Sequence, residues 1–211
     1  MRRGVRVAAP VAVAVFFVGV SFGVVARPLM GQVAPIVMSM VVFAGSAQFA
    51  AVAVLADGGS ALAAIAAGIL LNARFVPMGI AVASFLPGGK LRALEGQAVV
   101  DASFAIANRG GGRFDRDLLL GATLAQYPAW ALGTLVGVLA GDELGDPRAL
   151  GLDAIFPAFF FILLVDELRA RKAATAAALA ATVALLLTPI APPGVPVLAA
   201  GLVALLGLRA R

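Results

Sequence analysis

The chain has no cysteine and no histidine among its 211 residues, and one tryptophan and one tyrosine. Without cysteine there is no disulfide, no thiolate nucleophile and no Cys-ligated zinc, iron–sulfur or copper site. Without histidine there is no imidazole base, no Ser-His triad, no HExxH zinc site and no axial haem histidine. Charge is also scarce, at 13% of residues, while hydrophobic residues make up 62% and mean hydropathy is +1.04. A soluble domain of this size could not cover so much apolar surface with so few charges, so lipid must be part of its solvent. The same figures exclude a disordered chain. A net charge of +5 is compatible with nucleic-acid binding, but the cations sit in short loops between apolar runs. That pattern sets membrane topology and contacts anionic lipid.

Apolar stretches run near 7–26, 33–56, 61–86, 118–141, 151–168, 173–188 and 195–208. A spanning helix takes about 20 residues, so the last two are short and would lie inside a bundle or cross where the bilayer is thin. The fold class is therefore an all-α polytopic membrane protein. About seven transmembrane helices are expected, with a re-entrant or eighth segment at 93–108, in a single transmembrane domain covering 1–211. Arg2, Arg3 and Arg6, an apolar run and Val24-Val25-Ala26 imitate a signal peptide. The small-residue face of Gly19, Ser21 and Gly23 suits a packed span instead.

Lys and Arg positions constrain orientation. With seven crossings and the N-terminus outside, Arg27, Lys90, Arg92 and the clusters at 109–116, 169–172 and 209–211 lie inside. If 93–108 crosses and the N-terminus is inside, Arg2, Arg3 and Arg6 replace Arg27, Lys90 and Arg92, and the balance is unchanged. Both arrangements place the C-terminus in the cytoplasm. Stretch 93–108 carries Glu95, Gln97 and Asp101, so it would lie at the interface, re-enter, or cross shielded by protein.

Several residues look functional. Gly45, Ser46, Ala47 and Gln48 interrupt the second apolar run. A broken helix there would turn backbone N–H groups and a positive dipole end toward a carboxylate. The alternative is that small residues let two helices approach while Gln48 bonds across the contact. Asn72 and Arg74 lie deep in the third run, with Pro77 after them. An arginine near a span centre costs at least ~2.5–3.5 kcal/mol and normally faces a bundle interior or cavity. Arg74 is too central to snorkel easily. Asp101 and Asp153 are the carboxylates nearest apolar surroundings. Either could serve as a coupling or structural charge; Asp153, just before Phe156-Pro157, reads best as a helix cap. Gly133, Gly137 and Gly141 form a GxxxGxxxG face for packing on a partner helix, within the chain or in another subunit. Tyr127 and Trp130, mid-span, either line a cavity or fill the core. Residues 35–68 and 151–180 could form a weak internal repeat.

Four blocks resemble the AzlC family, the large permease subunits of two-component branched-chain amino acid exporters. They are MSMVVFAGSAQFAAVAVLADG at 38–58, LLNARFVPMGIAVA at 70–83, VVDASFAIA at 99–107, and WALGTLVGVLAG at 130–141 running on to DPRALGLDAIFPAFF at 146–160. FAGSAQF is the most specific. The chain departs from the family pattern at Phe75, where a histidine is common, and at Asp101-Ala102, where an acidic pair is usual. Proton coupling through that histidine could not operate unchanged.

The resemblance implies secondary active export of leucine, isoleucine and valine, extending to methionine, across the inner membrane. It also implies a small, separately encoded membrane partner of about a hundred residues. Residue by residue, the expectation is that Gly45, Ser46, Ala47 and Gln48 hold the carboxylate and Asn72 adds hydrogen bonds. Arg74 would pair with the carboxylate or with Asp101, and Phe43, Phe49 and Phe159 would wall the side chain. No metal, cofactor or catalytic residue is expected. The rival readings are a passive channel or scaffold subunit, an exporter of another small solute, and an intramembrane enzyme for which no protease context is recognisable.

Overall fold

The computed structural model describes residues 1–144 and 171–191, with 151, 158, 161, 165, 168, 195–196, 199–200 and 202–203. Asp153, Phe159, most of the run 151–168, more than half of 195–208 and the charged C-terminal end lie outside the described residues, and so does most of the 151–170 part of the expected repeat's second copy. Among the described residues every regular element is helical. Arg2–Met30, Ala61–Phe85 and Arg116–Gly141 are long and apolar enough to cross a membrane, and Gly45–Ala56 and Ala174–Leu187 are shorter apolar helices. The chain divides into two compact units, one of Met1–Gly45 with Phe75–Ile155, the other of Ser46–Arg74 with Phe156–Arg211.

The first unit is built on α1 (Arg2–Met30) and α8 (Arg116–Leu144), each 29 residues and so about 43 Å long at ~1.5 Å per residue. Glycine lets their backbones touch. A methyl group on Gly19 would stand 2.6 Å from the Trp130 carbonyl oxygen; on Gly133 it would collide with that of Phe16, and on Gly137 with that of Val20. Gly4 meets Gly121 in the same way. Arg27 Nη1 closes the seam by donating to the Val138 carbonyl at 2.8 Å. Of the two uses the GxxxGxxxG face allowed, Gly133 and Gly137 serve packing within the chain, and α1 covers them against any second subunit. A methyl on Gly141 would meet the Arg27 side chain at 3.6 Å and the Val24 Cα at 3.8 Å, ordinary van der Waals distances, so α1 and α8 lie less close there.

The contacts run in order, Gly4 with Gly121, Gly19 with Gly133, Arg27 with Val138, so α1 and α8 are parallel. Their N-termini share one side of the membrane.

Between them come α2 (Val33–Val41), and then, rejoining the unit after residue 74, α5 (Phe75–Val82) with a 3₁₀ turn Ala83–Phe85, α6 (Lys90–Gly96) and α7 (Asp101–Ala107). A core of Val82, Leu86, Ala98, Val99, Ala107, Leu118 and Leu119 gathers these segments around the first turns of α8. The Phe85 ring lies 5.8 Å from Phe114, and the Asp115 N–H donates to the Ala107 carbonyl at 2.9 Å. Residues 86–108 therefore begin and end at the same end of α8.

This topology differs from both orientations drawn from charge alone. Stretch 93–108 does not cross, yet the N-terminus lies on the side of Arg109, Arg113 and Arg116. The chain makes one net crossing between Met30 and Phe85, where hydropathy suggested two.

The second unit contains α3 (Gly45–Ala56, its first residue in the other unit), α4 (Ala61–Asn72) and the helix Arg171–Leu187. Ser60 caps α4, its Oγ accepting from the Ala63 N–H at 3.2 Å. Gly58, at φ 78, turns the chain between α3 and α4.

Candidate functional site

Two helix breaks organise the site. The first separates α2 from α3 at residues 42–44, where Phe43 adopts φ 40, a left-handed conformation costly for a bulky side chain. Gly45 then opens α3. The second break is the turn at Ala73-Arg74, between α4 and α5. Pro77 helps to end α4 there: it has no N–H to give the carbonyl of Ala73, four residues back.

Within the second unit the structure brings together residues from both interruptions. Arg74 Nη2 donates to Ser46 Oγ at 2.6 Å, a partner that sequence spacing did not suggest. Gln48 is fully buried and Ala47 nearly so. A methyl on Gly68 would sit 3.6 Å from the Ala47 carbonyl, so α3 and α4 lie close here. Asn72 Oδ1 is buried and accepts no hydrogen bond. A buried acceptor left without a donor costs roughly 1–3 kcal/mol. The first N–H groups of any helix have no intrahelical acceptor and carry the positive end of its dipole, and those of α3 lie beside the guanidinium that reaches Ser46. The arrangement offers donors and positive charge for a carboxylate, and one unsatisfied acceptor for an ammonium group.

Asp101 belongs to the first unit, where it is the first residue of α7 and its charge favours that helix's positive end. Tyr127 holds the first break from the side of α8. Its hydroxyl donates to the Met40 carbonyl at 2.7 Å, and its ring meets Phe43 edge-on at 5.2 Å. Trp130, by contrast, is core, stacked on Phe22 at 5.9 Å. Of the two uses weighed for this pair, Tyr127 lines a cavity and Trp130 fills space.

That cavity, of about 580 Å³, lies in the first unit beside the first three turns of α8. Met40, Phe43, Glu95, Thr123 and Tyr127 are among the residues that line it. Glu95 is held by Arg116, whose Nε donates to Oε2 at 2.7 Å and whose Nη2 also reaches the carboxylate. The guanidinium keeps the Glu95 carboxyl below its ordinary range. Asp115 is lowered too, first by the Leu118 N–H that it caps at 3.0 Å and then by Arg109 at 3.1 Å.

Sequence reading missed Gln126, 1% exposed in α8, whose Nε2 has no hydrogen-bond partner. An amide at mid-span was the available signal, the same one that marked Gln48. It also missed the buried hydroxyl pair Ser39–Thr134, at 2.8 Å between α2 and α8.

Long apolar helices, backbone interrupted at membrane depth and polar groups sheltered within define a polytopic α-helical membrane protein. The chain belongs to the AzlC protein family, whose model it matches over residues 10–144. It is 33% identical to an uncharacterized membrane protein of Archaeoglobus fulgidus, over 81% of this chain and 77% of that protein. It is 27% identical to the branched-chain amino acid transport protein AzlC of Bacillus subtilis, over 75% of this chain and 64% of the relative. It is 26% identical to the inner membrane protein YgaZ of Escherichia coli, over 80% and 74%. No solved structure matches the chain.

Proposed function

We propose that the protein is a secondary carrier exporting neutral, apolar amino acids of the branched-chain type from the cytoplasm, acting as the large subunit of a two-subunit permease. The observation that carries this reading is the Arg74–Ser46 bond at 2.6 Å, which joins the two interrupted runs beside the unsatisfied Asn72 Oδ1. A zwitterion answers that arrangement: its carboxylate binds the α3 N-terminus and Arg74, and its ammonium binds Asn72. Gly45, Ser46, Ala47 and Gln48 shape the carboxylate end. The name of the Bacillus subtilis relative supports branched-chain substrates. Each CH₂ buried is worth about 0.8 kcal/mol, so an apolar pocket separates leucine from alanine readily and leucine from isoleucine poorly.

The shared side of the α1 and α8 N-termini supports an orientation with Arg2, Arg3, Arg6 and the 109–116 cluster in the cytoplasm. The whole chain acts as one transmembrane domain in the inner membrane, with Asp101 as a structural or coupling charge. The small partner subunit docks away from Gly133 and Gly137, which α1 occupies. Leucine efflux from reconstituted vesicles tests the site. Arg74→Ala and Asn72→Ala should each lower the rate at least tenfold, one charge-assisted hydrogen bond being worth about 1.5–3 kcal/mol. Wild-type rates in both variants would remove the site.

A further inference from the structure

Cationic side chains gather at the end of the first unit where α1 and α8 begin. Arg2, Arg3 and Arg6 stand in the first two turns of α1, which Gly4 seats against Gly121. Arg116 opens α8, and its bond to Glu95 brings α6, with Lys90 and Arg92, to this end. Arg109 and Arg113 flank the turn just before α8, and all eight cations are exposed. The carboxylates beside them are taken: Asp115 by Arg109 at 3.1 Å, Glu95 by Arg116, and Asp117 by the Met1 ammonium at 3.1 Å. Arg2, Arg3, Arg6, Lys90, Arg92 and Arg113 pair with no carboxylate. Both helices are long and apolar enough to span, so this end lies at one membrane face.

The turn between α7 and α8 adds donors. Gly110, Gly111 and Gly112 all have left-handed φ, 77, 60 and 74, a succession that residues with a Cβ avoid. A Cβ on any of the three would meet nothing within 4 Å, so the glycines serve this backbone course and not packing. The Gly110 N–H goes to Asn108 Oδ1 at 2.9 Å, that of Arg109 to the Arg113 carbonyl at 2.9 Å, and that of Arg113 to the Gly110 carbonyl at 3.1 Å. The N–H groups of Gly111 and Gly112 donate to no protein atom, and both residues are exposed. Two consecutive free amides next to an unpaired arginine are a donor set suited to a phosphate group.

The short helix α6 supplies an apolar counterpart. Leu91 and Leu94, three residues apart and so on one helical face, are exposed in the same helix as Lys90 and Arg92. Exposed leucines among cations suit a helix lying where headgroups meet acyl chains. A soluble phosphate or a nucleic acid would leave those leucines in water.

We propose that this end of the first unit is a binding surface for anionic phospholipid. The turn takes the headgroup phosphate on the Gly111 and Gly112 N–H groups and the Arg113 guanidinium. The other unpaired cations attract the lipid's net negative charge, and Leu91 and Leu94 meet acyl chains. The surface shares no residue with the site at Ser46, Asn72 and Arg74 and does not rest on the export reading.

Native mass spectrometry of the full-length chain in neutral detergent, titrated with phosphatidylglycerol or with phosphatidylcholine of the same acyl chains, reads the binding. Each Lys or Arg near an anionic surface is worth about fivefold in affinity, so phosphatidylglycerol should bind at least tenfold more tightly. Arg113→Gln should weaken phosphatidylglycerol about fivefold and narrow its preference over phosphatidylcholine. Lys90→Gln combined with Arg92→Gln should act in the same direction and keeps the test open if one variant loses its fold. Gly111→Ala with Gly112→Ala leaves every charge in place and should also weaken phosphatidylglycerol, because the turn that presents the amides is strained. Leu91→Asn should weaken both lipids alike. Wild-type melting temperatures in lipid-free detergent would show that the variants are folded.

Equal affinity for the two lipids overturns the proposal, as does wild-type binding in Arg113→Gln and in the glycine double variant. Displacement of phosphatidylglycerol by millimolar inorganic phosphate, with no effect of Leu91→Asn, overturns it in favour of a soluble-anion site.

Discussion

The α1–α8 seam sets a sharp difference between two glycines of one motif. In Gly133→Ala the new methyl collides with the Phe16 carbonyl oxygen, and in Gly141→Ala it meets the Arg27 side chain at an ordinary 3.6 Å. Alanine gains about 0.8–1.0 kcal/mol over glycine in helix propensity at either position. At Gly133 that gain is opposed by overpacking against backbone, typically about 1–3 kcal/mol, because a carbonyl cannot rotate aside as a side chain can. The expected balance is a net loss of up to ~2 kcal/mol for Gly133→Ala and a small gain for Gly141→Ala. Thermal unfolding of the purified full-length chain in detergent, followed by far-UV circular dichroism, reads both. A melting temperature of Gly133→Ala equal to that of Gly141→Ala would refute the parallel, glycine-mediated contact, and a larger loss at Gly141 would reverse the proposed geometry.

Two further outcomes follow from the same unit. Glu95 and Asp115 are both held below their ordinary values of 4.5 and 3.8, so their ion pairs and cap stabilise the corner fully above those values. That contribution is lost as pH falls through the lowered folded values, so the melting temperature should drop below about pH 4.5, and Glu95→Gln should flatten the profile. A profile identical in wild type and variant would contradict the role of Glu95. Single cysteines at Arg3 and Arg113 should react with an impermeant reagent from the same side of the membrane, and labelling from opposite sides would contradict the parallel helices.

Much of this was legible because membrane depth makes polar residues and irregular backbone conspicuous. The interruption read at Gly45–Gln48 and the anomaly of Asn72 and Arg74 stand out against apolar runs; the first break lies just before the former, at 42–44, with Gly45–Gln48 forming the first turn of α3, and the second lies at Ala73-Arg74. The Arg74–Ser46 bond did not stand out, since hydropathy orders residues along the chain and carries no information on which break faces which. The net crossing number was illegible for a related reason: 33–56 and 61–86 read as two spans whether or not they reverse. The GxxxGxxxG pattern announced a close contact but not its partner, because the matching glycines of α1, Gly4, Gly19 and Gly23, do not share one four-residue spacing. Glu95 and Arg116 are 21 residues apart in sequence, and only the fold of α6 and α7 back onto α8 joins them.

Counterflow of radiolabelled leucine, in vesicles containing the wild-type chain or Arg74→Ala, with and without a proton gradient, addresses the central claim directly. A carrier site built at the two helix breaks predicts saturable exchange that Arg74→Ala abolishes. Flux that rises linearly with leucine, or exchange that survives Arg74→Ala unchanged, would contradict it.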